Sequence, residues 1–268
     1  TKGFIAMKKQ YSKLLLISIL SVLIIGCGKP STRKTTENSR TEAVKQVDST
    51  SAEKINVDLG VGYLQRGKPG DLDIALEKFK RAVLINPKFS LAHSMLATVY
   101  DRKGLFDSAE KHYKLSIKYN NGSPDIINNY ANFLCQRGKY QEAVDKYLEV
   151  VKNSQYKTPA AAYENAGVCS YRAKNEEQAE KYFRMALQEN KTQPNSLYYL
   201  LKISLNKQEY MKSRAFLQRL EQVIPASEEM LISGYKIENG LGNTKLAANY
   251  LTKLQKKFPE SDFLKIIN

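Results

Sequence analysis

The sequence predicts an all-α fold, a solenoid of about six stacked helix-turn-helix units. The main evidence is a set of small residues that recur every 34 positions, with one shift of two residues between the second and the third: Ala109, Ala143, Ala179, Ser213 and Ala247. A fixed period of this length is typical of helical repeats, in which each hairpin buries its apolar face against its neighbours. Such a chain offers an extended curved surface to other proteins rather than a pocket for chemistry.

The individual units resemble tetratricopeptide (TPR) repeats. In that pattern an aromatic residue or a leucine follows the small residue by four positions, as Tyr113, Tyr147 and Phe183 do here. Gly104 fits the turn between two helices. Together the units form a predicted TPR domain over residues 52–268. The predicted repeats cover residues 54–87, 90–121, 124–151, 160–191, 194–225 and 228–259.

The N-terminal part has the pattern of an export signal. Three lysines lie between Met7 and an apolar run, Leu14 to Ile25. At about 12 residues this run is too short to span a bilayer, which favours a cleaved signal over a membrane helix. We therefore interpret residues 1–26 as a signal peptide, in which residues 1–6 form an upstream extension.

The apolar run ends in Ile24-Ile25-Gly26-Cys27, which resembles the processing site of bacterial lipoproteins. At such a site the cysteine receives a diacylglyceryl group, and two or more acyl chains make membrane attachment effectively permanent. The alternative is an ordinary cleaved signal with an incidental cysteine. Position 28 is glycine and not aspartate, as in lipoproteins that are sorted to the outer membrane. We expect a lipidated Cys27 and a location on the periplasmic face of the outer membrane.

The segment that follows the lipidation site has the composition of a flexible linker. Residues 27–51 contain few large apolar side chains and many Ser, Thr, Lys and Arg. Such a segment buries too little surface to fold by itself. As a random coil it would reach roughly 25–30 Å and hold the repeat domain clear of the lipid headgroups.

The chain is strongly basic, with a formal net charge of +15. The 33 basic and 24 acidic residues after position 51 contribute +9 of this charge. Nucleic acid is excluded as a partner because an exported protein meets none and the basic residues are spread through amphipathic helices. Two interpretations remain, solvated outer faces of the repeats or attraction of an acidic protein or anionic envelope surface.

The expected lipidation accounts for Cys27, and the other two cysteines are Cys135 and Cys169. They lie 34 residues apart, in the predicted first helices of the third and fourth repeats. Neighbouring first helices pack side by side, and an exported protein meets an oxidising compartment, so a disulfide is one interpretation. The alternative is that both are small buried hydrophobic residues.

The sequence offers no constellation for catalysis, metal binding or a cofactor. His93 and His112 are the only histidines, and neither belongs to a zinc or nucleophile motif. The repeats occupy nearly all of the predicted mature chain and leave no room for a catalytic domain. We therefore expect neither an enzyme nor a binder of small-molecule substrates.

We expect the first helix of each repeat to line the concave surface and to bind a partner. In the first four repeats the side chains at i, i+3/i+4 and i+7 spacing are Val57, Val61, Leu64, Ser94, Thr98, Asp101, Asn128, Asn132, Glu164 and Val168. The predicted groove would be lined by apolar side chains in the first repeat and mostly by polar side chains in the next three. Asn128 and Asn132 could bond the main chain of a bound segment, or could equally bond between neighbouring repeats.

Three stretches in the middle of the chain resemble a known family. Asn128–Cys135, Pro159–Cys169 and the pair Gln193-Pro194 are similar to the type IV pilus biogenesis and stability lipoproteins of the PilF/PilW family. Ala131 stands where members usually have glycine, a small change at a helix crossing. The resemblance implies a non-enzymatic outer-membrane lipoprotein. Its partner would be a secretin subunit or another pilus assembly protein, which it helps as a pilotin or pilus-stabilising adaptor.

The TPR pattern by itself leaves a second function open. A general periplasmic scaffold for peptidoglycan enzymes or for the outer-membrane assembly machinery would show the same repeats. Only the Asn-Asn-Tyr and Glu-Asn-Ala-Gly stretches favour the pilus function over this alternative.

Overall fold

The structure, a computed structural model, describes residues 51–267. The predicted signal peptide, the Cys27 lipidation site and almost all of the linker lie outside the described residues. The described part contains thirteen α-helices and no strand. In chain order they are α1 (Ala52–Arg66), α2 (Asp71–Ile85), α3 (Ser90–Arg102), α4 (Phe106–Tyr119), α5 (Pro124–Gln136), α6 (Tyr140–Val151), α7 (Pro159–Arg172), α8 (Glu176–Glu189), α9 (Pro194–Asn206), α10 (Tyr210–Glu221), α11 (Glu228–Gly240), α12 (Thr244–Lys257) and α13 (Asp262–Ile267).

The first twelve helices form six consecutive hairpins, from α1–α2 to α11–α12, and each hairpin packs on the next. The short helix α13 follows the sixth hairpin and covers its end, where Leu264 packs against Leu231 and Leu254. The predicted all-α TPR solenoid of six repeats is therefore confirmed. Three of the first helices, α5, α7 and α9, begin with a proline, which fits the first turn because its missing N–H needs no partner there.

Helix pairs cross closely wherever the first helix carries a glycine opposite a ring of the second. A Cβ atom placed on Gly167 would lie 2.7 Å from Cδ1 of Phe183, a ring that is completely buried. Gly60 and Gly234 meet Phe79 and Tyr250 in the same way. The absence of a side chain on one helix thus creates room for an aromatic ring on the other.

The turn between the two helices of a hairpin needs one residue with positive φ. Gly104, Gly138 and Gly242 fill it with φ of 74°, 77° and 74°. In the fourth and fifth repeats the same position holds Lys174 and Gln208, with φ of 60° and 56°. A side chain in this region costs about 1 kcal/mol, so these two turns depend on the packing of their helices.

The first helices lie on the inner side of the solenoid. Within the described part, first helices of neighbouring repeats contact one another, as at α1–α3, α5–α7 and α7–α9, whereas second helices of neighbouring repeats do not approach to a similar extent. The stack therefore curves toward the first helices. We call the accessible side of α3, α5, α7, α9 and α11 the inner face.

Candidate partner-binding surfaces

Three residues that the sequence predicted to line the groove are buried instead. Val57, Ser94 and Glu164 are exposed by only 1%, 2% and 8%. Val57 packs among the core residues of the first two repeats. The prediction for these three side chains is corrected, because the helical positions chosen for the groove include positions that face the preceding or following hairpin.

The other predicted groove residues are half-buried, and some of them belong to the core. Val61 and Leu64 pack against the core cluster of the first two repeats, and Val168 packs against that of the fourth and fifth. Thr98 and Asp101 keep part of their surface accessible on α3. The apolar side chains of the first repeat that were predicted to line the groove therefore mostly pack in the core.

The two asparagines of α5 have different surroundings. Asn132 accepts a hydrogen bond at 2.6 Å from the hydroxyl of Tyr147, which lies on the second helix of the same repeat. It therefore holds its own hairpin together, a role that neither sequence interpretation included. Asn128 differs, because its Oδ1 atom is buried and has no hydrogen-bond partner among residues 51–267. An unsatisfied buried oxygen is costly, and Asn128 remains the better candidate for contact with a partner.

Glu164 joins the fourth repeat to the fifth. Its carboxylate accepts hydrogen bonds from the backbone N–H and hydroxyl of Ser196, at 3.1 and 2.9 Å, and from Nδ2 of Asn195 at 3.0 Å. These donors lie in the first turn of α9, where free N–H groups and the helix dipole favour a negative charge. The side chain that was predicted to contact a partner is thus a structural link between repeats.

The inner face of the fifth and sixth repeats carries a polar aromatic group that the sequence analysis missed. The hydroxyl of Tyr198 donates to Glu229 at 2.5 Å, and the ammonium of Lys202 lies 5.3 Å from the centre of the Tyr198 ring. Burial and the neighbouring Glu229 carboxylate raise the pKa of Tyr198. Tyr198 and Lys202 follow Asn128 and Asn132 by 70 residues, so extending the same repeat register would have found them.

The outward side of α1 forms a second candidate surface at the end of the solenoid. Ile55 and Leu59 are 45% and 48% exposed and lie one helical turn apart. With Asp58, Gly62, Tyr63 and Arg66 they line a shallow hollow of about 450 Å³. We call this surface the α1 end face. Large apolar side chains at a repeat end, where a polar cap is usual, make this face a candidate docking surface.

Cys135 and Cys169 form a disulfide bond that joins α5 to α7, with their Cα atoms 5.7 Å apart. Cys169 is fully buried and Cys135 nearly so. The bond links the first helices of the third and fourth repeats, across the longest connection between repeats in the described part, residues 152–158.

The two histidines form a stacked pair between α3 and α4. Nδ1 of His93 lies 2.9 Å from Nδ1 of His112, and Nε2 of His93 lies 3.0 Å from the carbonyl of Pro87. His93 therefore donates from Nε2 to Pro87 and accepts at Nδ1 from His112. Burial, followed by the proximity of His93, lowers the pKa of His112 to about 4.

Residues 51–267 contain no group of three or more His, Cys, Asp or Glu side chains arranged to hold a metal ion. Over the same residues, no helix combines the length and apolar character that crossing a bilayer requires.

Comparison with known proteins agrees with the repeat pattern and with the family resemblance. The tetratricopeptide repeat family model matches residues 129–194. The type IV pilus assembly protein PilF of Pseudomonas aeruginosa is 26% identical over 246 residues, which are 92% of this chain and 94% of that protein.

Solved structures show the same similarity. That of Pseudomonas aeruginosa PilF matches with a TM-score of 0.66 at 27% identity, over 78% of this chain and 93% of the other. PilW, described as a widely conserved type IV pilus biogenesis factor, matches in fold with a TM-score of 0.66 at 24% identity, over 82% and 99%. The chain is therefore a tetratricopeptide repeat protein homologous to the type IV pilus assembly protein PilF.

Proposed function

We propose that this protein is a non-enzymatic assembly factor of the type IV pilus, which acts as a pilotin for an outer-membrane secretin. The observation that carries the proposal is the similarity to PilF over 92% of this chain. The stacked hairpins support a binding role, since they provide an extended surface on a rigid scaffold.

We place the secretin contact at the α1 end face. Ile55 and Leu59 supply apolar area that the solenoid itself leaves uncovered, and the two charged residues of the hollow, Asp58 and Arg66, are ion-paired with Lys54 and Asp71. Arg66 is held in place by Asp71, to which its Nε donates at 2.8 Å. A partner segment with an apolar side chain would therefore meet a preformed hollow.

The proposed location is the periplasmic face of the outer membrane, with attachment through lipid on Cys27. The support is the lipoprotein-like sequence around Cys27 and the glycine that follows it. A Cys27→Ser variant should leave the membrane fraction and appear in the soluble periplasm. If this variant stays in the membrane fraction, the lipid attachment is wrong.

The pilotin function is tested by deleting the gene and measuring secretin multimers in outer-membrane fractions. We expect the multimers to be lost and surface pili with them, and the wild-type gene to restore both. Normal multimers together with normal pili would exclude the pilus function. They would favour the general periplasmic scaffold, whose deletion would change peptidoglycan or outer-membrane assembly instead.

The docking surface is tested by complementing the deletion with point variants. Leu59→Asp should abolish the multimers, because it places a charge in the apolar hollow. The matched control is Leu84→Asp on α2, where the leucine is 69% exposed and outside the hollow. Asn128→Ala tests the inner face, since it removes a side chain whose oxygen has no partner among the described residues. Loss of multimers with Asn128→Ala but not with Leu59→Asp would move the contact to the inner face.

A further inference from the structure

A groove on the outer side of the solenoid has a composition unlike that of the surfaces described above. It lies between the second helices of the fourth and fifth repeats, α8 and α10, and has a volume of about 660 Å³. We call it the outer groove and define it by its apolar floor, Leu187, Phe216 and Val223, and by its basic rim, Lys191 and Arg219.

The floor is apolar and shaped by the packing of the two helices. Leu187 and Phe216 are each only 7% exposed, so they are core residues whose edges reach the groove. The guanidinium of Arg184 lies 5.5 Å from the centre of the Phe216 ring and borders the floor on one side. A floor of this kind favours a ligand that inserts an apolar side chain.

The rim carries positive charge that the groove itself does not neutralise. Arg184 is paired with Glu180 at 2.8 Å, but no carboxylate lines the groove. Neither Lys191 nor Arg219 forms an ion pair with any described residue. Arg219 donates from Nη2 to the carbonyl of Lys191 at 3.0 Å, which fixes its guanidinium beside the turn between α8 and α9. The remaining N–H groups of Arg219 are available to a carboxylate.

We propose that the outer groove binds an acidic segment of a partner protein, in which an apolar side chain is flanked by carboxylates. The apolar floor accepts the side chain, and Lys191 and Arg219 pair with the carboxylates. This combination favours a peptide over a nucleic acid, whose backbone phosphates have no apolar side chain between them. The outer groove and the α1 end face lie on different repeats and different helices, so the protein can hold two partners at once.

The experiment measures binding of defined peptides to the full chain. The probe is a pool of short peptides in which one Leu, Ile or Phe is flanked on both sides by glutamates, and the comparison pool carries glutamines instead. Fluorescence anisotropy gives the affinity, and NMR shifts of backbone amides locate the site. We expect the glutamate pool to shift the amides of Leu187, Thr192 and Gln222, and the glutamine pool to bind at least about tenfold more weakly.

Variants then test the rim. Lys191→Glu and Arg219→Gln should each weaken binding of the glutamate pool by about tenfold or more. The matched control is Lys88→Glu, an equal charge change in the corresponding turn between the first and second repeats, which should leave binding unchanged. Lys88 lies one position further along its turn than Lys191 does, since its backbone N–H donates to Asn86 as that of Thr192 donates to Asn190. Circular dichroism melting of each variant verifies that it is folded.

Three outcomes would overturn the proposal. The first is that the glutamate pool shifts no amide of the outer groove. The second is that folded Lys191→Glu protein binds this pool as tightly as wild type does. The third is that vesicles containing phosphatidylglycerol bind in a manner that depends on Lys191 while the peptides do not, which would make the groove a lipid contact. None of these results bears on secretin multimers, so the pilotin function is tested separately.

Discussion

At the scale of single residues, the contacts between glycine and aromatic rings show how closely the hairpins are fitted. Gly167 lies against the fully buried ring of Phe183, with no space between them for another atom. Glycine inside a helix costs up to about 1 kcal/mol relative to alanine, so its presence in α7 requires a compensating contact. The buried ring supplies that compensation.

Replacing Gly167 with alanine should destabilise the protein by about 1–3 kcal/mol, despite the better helix propensity of alanine. The new methyl group would overlap Phe183, which has no room to move. Gly62→Ala is the control, because nothing lies within 4 Å of a Cβ atom at Gly62. It should stabilise α1 by up to about 1 kcal/mol. Urea denaturation measures both changes, and equal effects at the two sites would contradict the packing explanation.

The titration of His112 makes stability depend on pH. Its pKa is lowered to about 4 in the folded protein, whereas a histidine in an unfolded chain titrates near 6.5. The unfolded state therefore binds the proton more readily. Stability that is present above pH 6.5 should be lost as the pH falls from about 6.5 toward 4.

A second loss should follow at lower pH. Hydrogen bonds from Lys114 and Lys139 lower the pKa of Glu110 to about 2, and one from Arg66 lowers that of Asp71 to about 2. Both carboxylates stabilise the fold above their ordinary pKa near 4, and this stabilisation is lost as the pH falls toward 2.

Urea midpoints measured as a function of pH separate these two losses. His112→Gln removes the group that titrates at the higher pH. We expect the variant to show a flatter dependence than wild type between pH 6.5 and 4, and the same dependence below pH 4. If the two proteins have the same slope in the upper range, His112 does not control stability there.

Glu164 and Val57 show why the sequence did not predict which side chains line the groove and which are buried. A glutamate on a helix is normally exposed, and the donors that bury Glu164 lie more than 30 residues further along the chain. Helical spacing identified the correct helices but not which side of each helix faces the next hairpin. That side depends on the angle between repeats, which a single sequence does not provide.

At the scale of helices, the period of 34 residues predicted the six hairpins because each hairpin follows its own local pattern. The shift of two residues between Ala143 and Ala179 appears in the structure as the longer connection between α6 and α7. The turns at Lys174 and Gln208 were not predicted, since neither residue favours positive φ. Their conformation is imposed by the packing of the helices on either side.

The bond between α5 and α7 should be the largest single contribution to the stability of the third and fourth repeats. It closes a loop of 34 residues, which corresponds to about 3–4 kcal/mol in the chain-entropy model. A Cys135→Ala/Cys169→Ala double variant should lose this amount, measured by urea denaturation. Wild-type protein treated with a reductant is the control and should lose a similar amount.

Mass spectrometry after alkylation tests whether the bond forms in cells. Protein purified from cells without reductant should show both Cys135 and Cys169 protected. Two alkylated cysteines in folded protein would instead support the alternative of free buried thiols.

At the scale of the whole molecule, a solenoid lacks contacts between distant repeats, so each end depends on its cap. At the C-terminal end, α13 covers Leu231 and Leu254 with Leu264, which is only 6% exposed. A change in α13 should affect the stability of the sixth repeat, which it contacts, and should have little effect on the repeats before it.

Removing residues 262–268 should therefore destabilise the sixth repeat alone. Hydrogen exchange should become faster in α11 and α12, while α1 to α4 keep their protection. Leu264→Ala should reproduce most of the effect by the loss of about 1.5–3 kcal/mol of apolar burial. Ile266→Ala should have little effect, because Ile266 is 80% exposed. Faster exchange over the entire chain would show that the repeats unfold as one unit.

The cross-link between Cys135 and Cys169 also determines where the superhelix can flex. Noncovalent contacts join the other repeats, and these can slide by small amounts without breaking a bond. The junction between the third and fourth repeats is covalently fixed, so changes in curvature concentrate on either side of it. The repeats before this junction and those after it can therefore change their curvature independently when each end binds a ligand.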